Sequence, residues 1–237
     1  MEKKKQVALD SLSPAVTTPP YWGMDILQYP GDNVMQNWYT NSLFWFTGFY
    51  LAPAPRQPYT GWMTKRSTLI SQGWGLLPIY AGRLYTDTAY LTTAQGKADA
   101  QNAASLASQA GFPGSSYIYL DVEQGGILNQ NFIDYIVGWV TEINGNTSYW
   151  SGIYCSYYST ADQIKAAVAA TGTAMPRFYV YNLNYSGTPG SGNAPAPSGS
   201  GVSYATVWQL EQRKDHTYGS YTLNIDVDTS TIPDPSK

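Results

Sequence analysis

The segment Tyr117-Ile118-Tyr119-Leu120-Asp121-Val122-Glu123 decides the fold. Its short apolar run reads as a buried strand over Tyr117–Val122. Side chains alternate along a strand. Ile118, Leu120 and Val122 therefore face one way and pack under helices, while Tyr117, Tyr119, Asp121 and Glu123 face the other. Two carboxylates at the end of a strand, both turned inward, occupy the position where a (β/α) barrel carries its chemistry.

Working outward, seven more runs have strand character: Tyr21–Leu27, Leu43–Ala52, Gly75–Ala81, Ser151–Ser156, Arg177–Leu183, Tyr204–Leu210 and Leu223–Val227. Between some of them lie helical stretches. Residues 94–110 are alanine-rich and stop at Gly111 and Pro113. Asn129 caps a second helix through about Asn144, with Ile133, Ile136, Val137 and Val140 on one face. A third covers 160–170. Strand–helix alternation implies a parallel sheet. Eight strands, with no Gly-rich phosphate loop after the first, favour a closed (β/α)8 TIM-type barrel over an open doubly wound sheet, with helices sparse in the second half. Residues 1–20 read as a flexible tail ending at Pro19-Pro20, which leaves 21–237 to the barrel. Residues 184–203, rich in Gly, Ser, Pro and Asn, read as a long loop leaving strand six on the active face, either a lid or a disordered insertion.

The acid pattern recurs at two other strand ends, in Gly23-Met24-Asp25 and in Asn224-Ile225-Asp226-Val227-Asp228. Closing the barrel makes the first and eighth strands neighbours. Asp25, Asp226 and Asp228 then line one side of the mouth, with Asp121 and Glu123 across from them. Residues two apart on a strand lie roughly 6.5–7 Å apart. Like charges in a dry cleft cannot all ionise, so at least one pKa should rise and make a general acid usable near neutral pH. One acid at a strand end is ordinarily a solvated turn residue; five at three ends, with matching alternation, indicate a site. A divalent cation ranks below this reading, because no Asp/Asn/Gly calcium-loop spacing is present. No metal or other cofactor is expected.

Composition narrows the partners. Charged residues make up 12% and the formal net charge is -3, with no basic stripe to neutralise phosphates, which argues against nucleic acid. One cysteine, Cys155, excludes an internal disulfide and reads as a buried small hydrophobe. One histidine, His216, excludes a multi-histidine metal site; it sits in Arg213-Lys214-Asp215-His216, read as a solvated turn. The 21 Tyr and 8 Trp, against 6 Phe, suit stacking on sugar rings, or equally a Tyr-rich surface. The longest apolar stretch, Leu43 to Ala54, is too short and too interrupted for a membrane span. Met1-Glu2-Lys3-Lys4-Lys5 is followed by Asp10 and no apolar run, so no signal peptide is expected.

Gly23-Met24-Asp25, Tyr119-Leu120-Asp121-Val122-Glu123, Val207-Trp208-Gln209 and Asp226-Val227-Asp228 together resemble the lysozyme-type glycoside hydrolase family 25. They are more similar still to the related glycoside-hydrolase-like domain of unknown function 1906, over roughly residues 21–232. The resemblance implies a barrel with incomplete helices in its second half and a bacterial cell-wall glycan, peptidoglycan or a related amino-sugar polymer, as substrate. It implies Glu123 as general acid. Asp121 would orient substrate or stabilise positive charge, and Asp25 and Asp226 match the other family acids. It also implies that the substrate's N-acetyl group assists the displacement. Two positions depart from the family 25 pattern: Leu27 stands where Ser is usual, and Asp228 where Asn is usual, an added acid that would raise the local negative charge.

Tyr80, Tyr154, Tyr181, Trp208 and Gln209 come near the ends of strands three, five, six and seven and, with Asp228, are the candidate substrate-binding residues. Alternation lets only one of Trp208 and Gln209 face the cleft. The leading expectation is a muramidase-like hydrolase acting outside the cell or at its envelope. Two alternatives stand beside it: a non-catalytic glycan-binding barrel, and a cargo or component of a phage tail or contractile injection apparatus, which would deliver the chain from the cytoplasm without a signal peptide.

Overall fold

The structure, a computed structural model, describes residues 18–237. Most of the tail expected over 1–20 therefore lies outside the described residues. Eight strands close into one barrel in sequence order. They are β1 Tyr21–Asp25, β2 Phe44–Tyr50, β3 Gly75–Ala81, β4 Tyr117–Asp121, β5 Trp150–Ser156, β6 Arg177–Tyr181, β7 Ala205–Tyr218 and β8 Tyr221–Ser230. Helices α1 (Asp32–Asn41), α2 (Arg66–Gln72), α3 (Thr93–Gln109), α4 (Gln130–Asn146) and α5 (Ser159–Ala169) follow the first five strands in turn. After β6 there is only a short 3-10 turn, Pro197–Ser200, and β7 runs directly into β8. This is a (β/α)8 TIM-type barrel whose helices thin out in the second half, as the sequence predicts.

The cap predicted at Asn129 is present, and Thr92 adds a cap on α3 that the sequence reading did not name. Asn129 accepts a hydrogen bond from the Phe132 N–H at 2.9 Å, and Thr92 does the same for Gln95 at 3.1 Å. Helices α1 and α2 have no counterpart in the sequence reading. The α1 segment, Asp-Asn-Val-Met-Gln-Asn-Trp-Tyr-Thr-Asn, is made of weak helix formers and buries only Met35 and Trp38. The seven residues of α2 bury only Leu69. Val34, Met35, Trp38 and Tyr39 give α1 a short apolar stripe, and both helices are held by packing rather than by propensity.

The expectation of a wholly parallel sheet needs one correction. β8 pairs antiparallel with both β7 and β1. Residues 219–220 link Tyr218 to Tyr221, and so short a connection can only make a hairpin. The hairpin also absorbs Arg213–His216, which lie within β7 rather than in a solvated turn; His216 Nε2 contacts the Glu211 carboxylate. The reversal sets depth. Asp226 pairs with Asp25 at the mouth, and Asp228 pairs with Gly23 one layer further in.

The barrel interior is filled by Phe46, Leu77, Ile79, Tyr119, Tyr179 and Val207. The C-terminal segment plugs the end opposite the mouth: the Tyr119 hydroxyl donates to Pro235 O at 3.1 Å, and Leu76 N–H donates to Asp234 Oδ1 at 3.1 Å. Outside the strands, Ile118, Leu120, Val122, Ile225 and Val227 pack into the main core, on the face that alternation assigns them. Residues 184–203 do not form a lid. Trp22 Nε1 donates to Gly192 O at 2.9 Å, and Ala194 and Val202 are buried in the same outer core. The loop packs on the outside of the barrel, on the stretch where β6 has no following helix.

Candidate active site

The acids of β1, β4 and β8 meet at one cavity of about 530 Å³, with Asp226 in the middle of the antiparallel β8 rather than at a strand end. Asp25 reaches it from β1, Asp121 from β4, Glu123 from the residues just beyond β4, and Asp226 from β8. Space for Asp25 is made by Gly48: a Cβ there would stand 2.5 Å from the Asp25 Cβ. Asp25 is buried and accepts hydrogen bonds from the Tyr50 hydroxyl at 2.6 Å and, on its other oxygen, from the Tyr179 side at 3.0 Å. Burial, and next the neighbouring Asp226, push its carboxyl up to about 7.

Asp121 is buried too, and burial raises it to about 6 against the opposing pull of Arg56. Arg56 comes from the loop after β2. Its Nη2 lies 2.8 Å from Asp121 Oδ2 and its Nη1 lies 3.2 Å from Glu123 Oε2. One guanidinium thus ties together the two carboxylates of the Asp-x-Glu segment. Further bonds from Arg56 to the carbonyls of Gly82, at 2.9 Å, and Asp121, at 3.1 Å, fix its plane. The second oxygen of Asp121 is buried and has no partner among the described residues. Glu123 is the most open of the acids, its side chain 54% exposed at the rim.

Asp226 is held by two N–H donors, Gln209 Nε2 at 2.6 Å and the Arg213 backbone at 2.7 Å. Burial raises its pKa, and those contacts oppose the rise. Gln209 in turn accepts from the Tyr154 hydroxyl at 2.5 Å. Tyr154, Gln209 and Asp226 therefore form a fixed chain along one wall.

Four of the six candidate substrate-binding residues need comment on their place. Gln209, not its neighbour Trp208, faces the cleft. Trp208 is 2% exposed, points into the outer core, and donates from Nε1 to Asn182 O at 2.7 Å. Tyr80 also faces outward, fully buried, with its hydroxyl accepting from Asn102 Nδ2 at 3.1 Å. Asp228 points inward but is fully buried beneath the cavity against Tyr179, so ligand cannot reach it. Burial raises its pKa well above the ordinary carboxylate value, and it adds no negative charge to the mouth while protonated. Tyr154 lines the cavity, and Tyr181 borders a smaller lobe beside it.

Sequence reasoning missed Arg56, Tyr50, Tyr179 and Arg213. Tyr179 and Tyr50 had a usable signal, since each lies on the inward face of its strand. Arg56 and Arg213 had none: one sits in the loop Pro53-Ala54-Pro55-Arg56, and the other in a bulged stretch of β7. Cys155 is fully buried, and burial pushes its thiol far up, so it is no nucleophile. Among the described residues no cluster of His, Cys, Asp and Glu is arranged to hold a metal ion.

Several solved structures share this architecture. An uncharacterized B. stearothermophilus protein superposes with a TM-score of 0.62 at 21% identity, covering 89% of this chain and 95% of that one. The Tat-secreted Mycobacterium tuberculosis protein Rv2525c, crystallised with L-tartrate, gives 0.62 at 15% identity, covering 92% and 97%. A family GH25 lysozyme from Aspergillus fumigatus gives 0.53 at 15% identity, covering 90% and 94%. At these identities the likeness establishes the fold. No curated protein matches the sequence. The sequence itself matches the Rv2525c-like, glycoside hydrolase-like domain over residues 36–230. With that match spanning most of the chain, and with the barrel of the GH25 lysozymes beneath it, the protein belongs to the Rv2525c-like glycoside hydrolase-like family.

Proposed function

We propose that the chain is a muramidase-like hydrolase of peptidoglycan or a related amino-sugar polymer, acting at the cell envelope or outside the cell. The observation that carries this reading is the convergence of Asp25, Asp121, Glu123 and Asp226, from β1, β4 and β8, on one cavity large enough for a sugar ring. Similarity in fold to a GH25 lysozyme supports it. Among the described residues no helix is long and apolar enough to cross a membrane.

Glu123 is the general acid in this reading. It is the acid at the open rim, where a glycosidic oxygen can approach. Its contact with Arg56 means that the side chain must turn from the guanidinium toward the cavity to deliver a proton. Asp121 is held still through one oxygen by Arg56, while its other oxygen lacks a donor. An acetamido N–H of the substrate would supply that donor, and a carboxylate there steadies the positive charge that grows when the acetamido oxygen attacks the sugar carbon. Asp25 and Asp226 fix the opposite wall and accept sugar hydroxyls.

One observation favours a second reading, a barrel that binds glycan without cutting it: Arg56 engages both members of the Asp-x-Glu pair. Digestion of purified peptidoglycan, with mass analysis of the fragments, separates the two. The hydrolase reading expects new reducing ends that Glu123→Gln abolishes. Binding without release of any reducing end, from any wall preparation, supports the second.

A further inference from the structure

A side lobe of about 210 Å³ opens beside Glu123. Glu123, Tyr154, Gln212 and Arg213 border both the lobe and the main cavity, so a ligand in one can extend into the other. Ser156 and Tyr181 complete its wall.

Arg213 is built into this place. β7 shifts register twice between Gln209 and Lys214, and Arg213 sits inside that stretch at φ 52°. Such a backbone is strained for a non-glycine residue, and the surroundings must enforce it. The bend turns the Arg213 N–H onto Asp226 Oδ1 at 2.7 Å. The positive charge of Arg213 opposes the burial-driven rise of the Asp226 pKa, yet the side chain closes no ion pair on that carboxyl. It is exposed and forms no ion pair among the described residues. The other arginine of the mouth, Arg56, is engaged by Asp121 and Glu123, which also offsets the charge of Glu123 on the lobe. Gln212 and Tyr181 line the lobe with Arg213; the Tyr181 hydroxyl donates to Gln212 Oε1 at 3.5 Å, which leaves the Gln212 amide N–H groups to donate.

We infer that the lobe is a subsite for a carboxylate-bearing substituent of the glycan, held by Arg213 with Gln212 and Tyr181 in support. This rests on the glycan reading above. A planar guanidinium with flanking neutral donors matches a carboxylate's two oxygens. The hydrogen bond from Arg213 to Asp226 runs through the backbone N–H and survives a change of side chain, which removes only the charge near that carboxyl.

The test is an NMR titration of the full chain with the disaccharide of N-acetylglucosamine and N-acetylmuramic acid, as the free acid and as its methyl ester. The two probes differ only at the lactyl carboxyl, a charged carboxylate in one and a neutral methyl ester in the other. The acid is expected to bind roughly five- to tenfold more tightly than the ester, as for an exposed charge-assisted pair. Arg213→Asn, whose asparagine tolerates the left-handed backbone, brings the acid down to the ester's affinity, and Arg213→Lys recovers part of the difference. Equal binding of acid and ester by the wild type, or a preference that survives Arg213→Asn, overturns the subsite while leaving the glycan reading intact. If neither probe binds and no peptidoglycan is cut, the glycan reading fails and the subsite fails with it.

Discussion

The hydroxyl of Tyr179 lies 2.7 Å from Oδ1 of Asp228. The same hydroxyl lies 3.0 Å from Oδ2 of Asp25. A phenol has one hydrogen, so it donates to one carboxyl, and the other must donate back to the phenol oxygen as a protonated acid. Asp228 is suited to that part: it is fully buried, its second oxygen has no partner, and burial raises its pKa well above 3.8. A protonated carboxyl offers one donor and one acceptor, as an amide does. Asp228 can therefore do the work of the Asn usual at this place in family 25.

Asp228→Asn is accordingly expected to keep the fold within about 1 kcal/mol of wild type, because the hydrogen bond to Tyr179 persists. Asp228→Leu leaves the Tyr179 hydroxyl oxygen without its donor and should cost about 1–3 kcal/mol. Chemical denaturation at pH 7 measures both. Equal losses in the two variants would contradict the neutral-acid account.

The raised carboxyls set the direction of the pH response. Folded Asp25 and Asp121 keep their protons up to about 7 and about 6, against the ordinary 3.8 of an unfolded chain. Their contribution to stability is complete below about pH 4 and is lost as pH rises through those folded values. The melting temperature of the wild type should fall between pH 5 and pH 8. Asp25→Asn, which cannot ionise, should show a shallower fall and melt above the wild type at pH 8. Parallel curves for the two proteins would rule this out.

Arg56 is expected to govern the Asp-x-Glu pair. Its charge opposes the burial of Asp121, so Arg56→Gln should move the Asp121 pKa further up, as read by carboxyl ¹³C titration. The same change unfastens Glu123. On the hydrolase reading, loss of this positioning should cut turnover by about a hundredfold. An unchanged Asp121 titration would show that the ion pair is not maintained in solution.

Trp208 and Tyr154 should part company. Trp208→Ala empties a buried site and should cost about 3–5 kcal/mol in denaturant unfolding. Tyr154→Phe removes only the hydroxyl that anchors Gln209, and should leave the fold near wild type while lowering activity about tenfold. A stable Trp208→Ala protein that fails to bind glycan would place that indole in the cleft after all.

These contrasts show what was legible in the chain. Period-two alternation set Asp121 and Asp226 inward and allowed only one of Trp208 and Gln209 to face the cleft, because a strand fixes side-chain direction within two or three residues. The boundaries of β3, and the cap at Asn129, follow equally local rules. Tyr80 and Trp208 were offered as ligand contacts on the strength of being aromatic near strand ends, but alternation puts both on the helix-facing side, where bulk is needed. The reversal of β8 depended on how residues 219–220 turn, which composition does not reveal, and it moved Asp228 from the mouth to beneath it. Arg56 was invisible for a related reason: it is 65 residues from Asp121 and meets it only through barrel closure.

The most direct measurement is mass analysis of purified peptidoglycan digested by the wild type and by Glu123→Gln side by side. The account predicts muropeptide fragments with new reducing ends from the wild type, and none from Glu123→Gln even though that variant melts at the wild-type temperature. Fragments released equally by both proteins, or by neither, would contradict it.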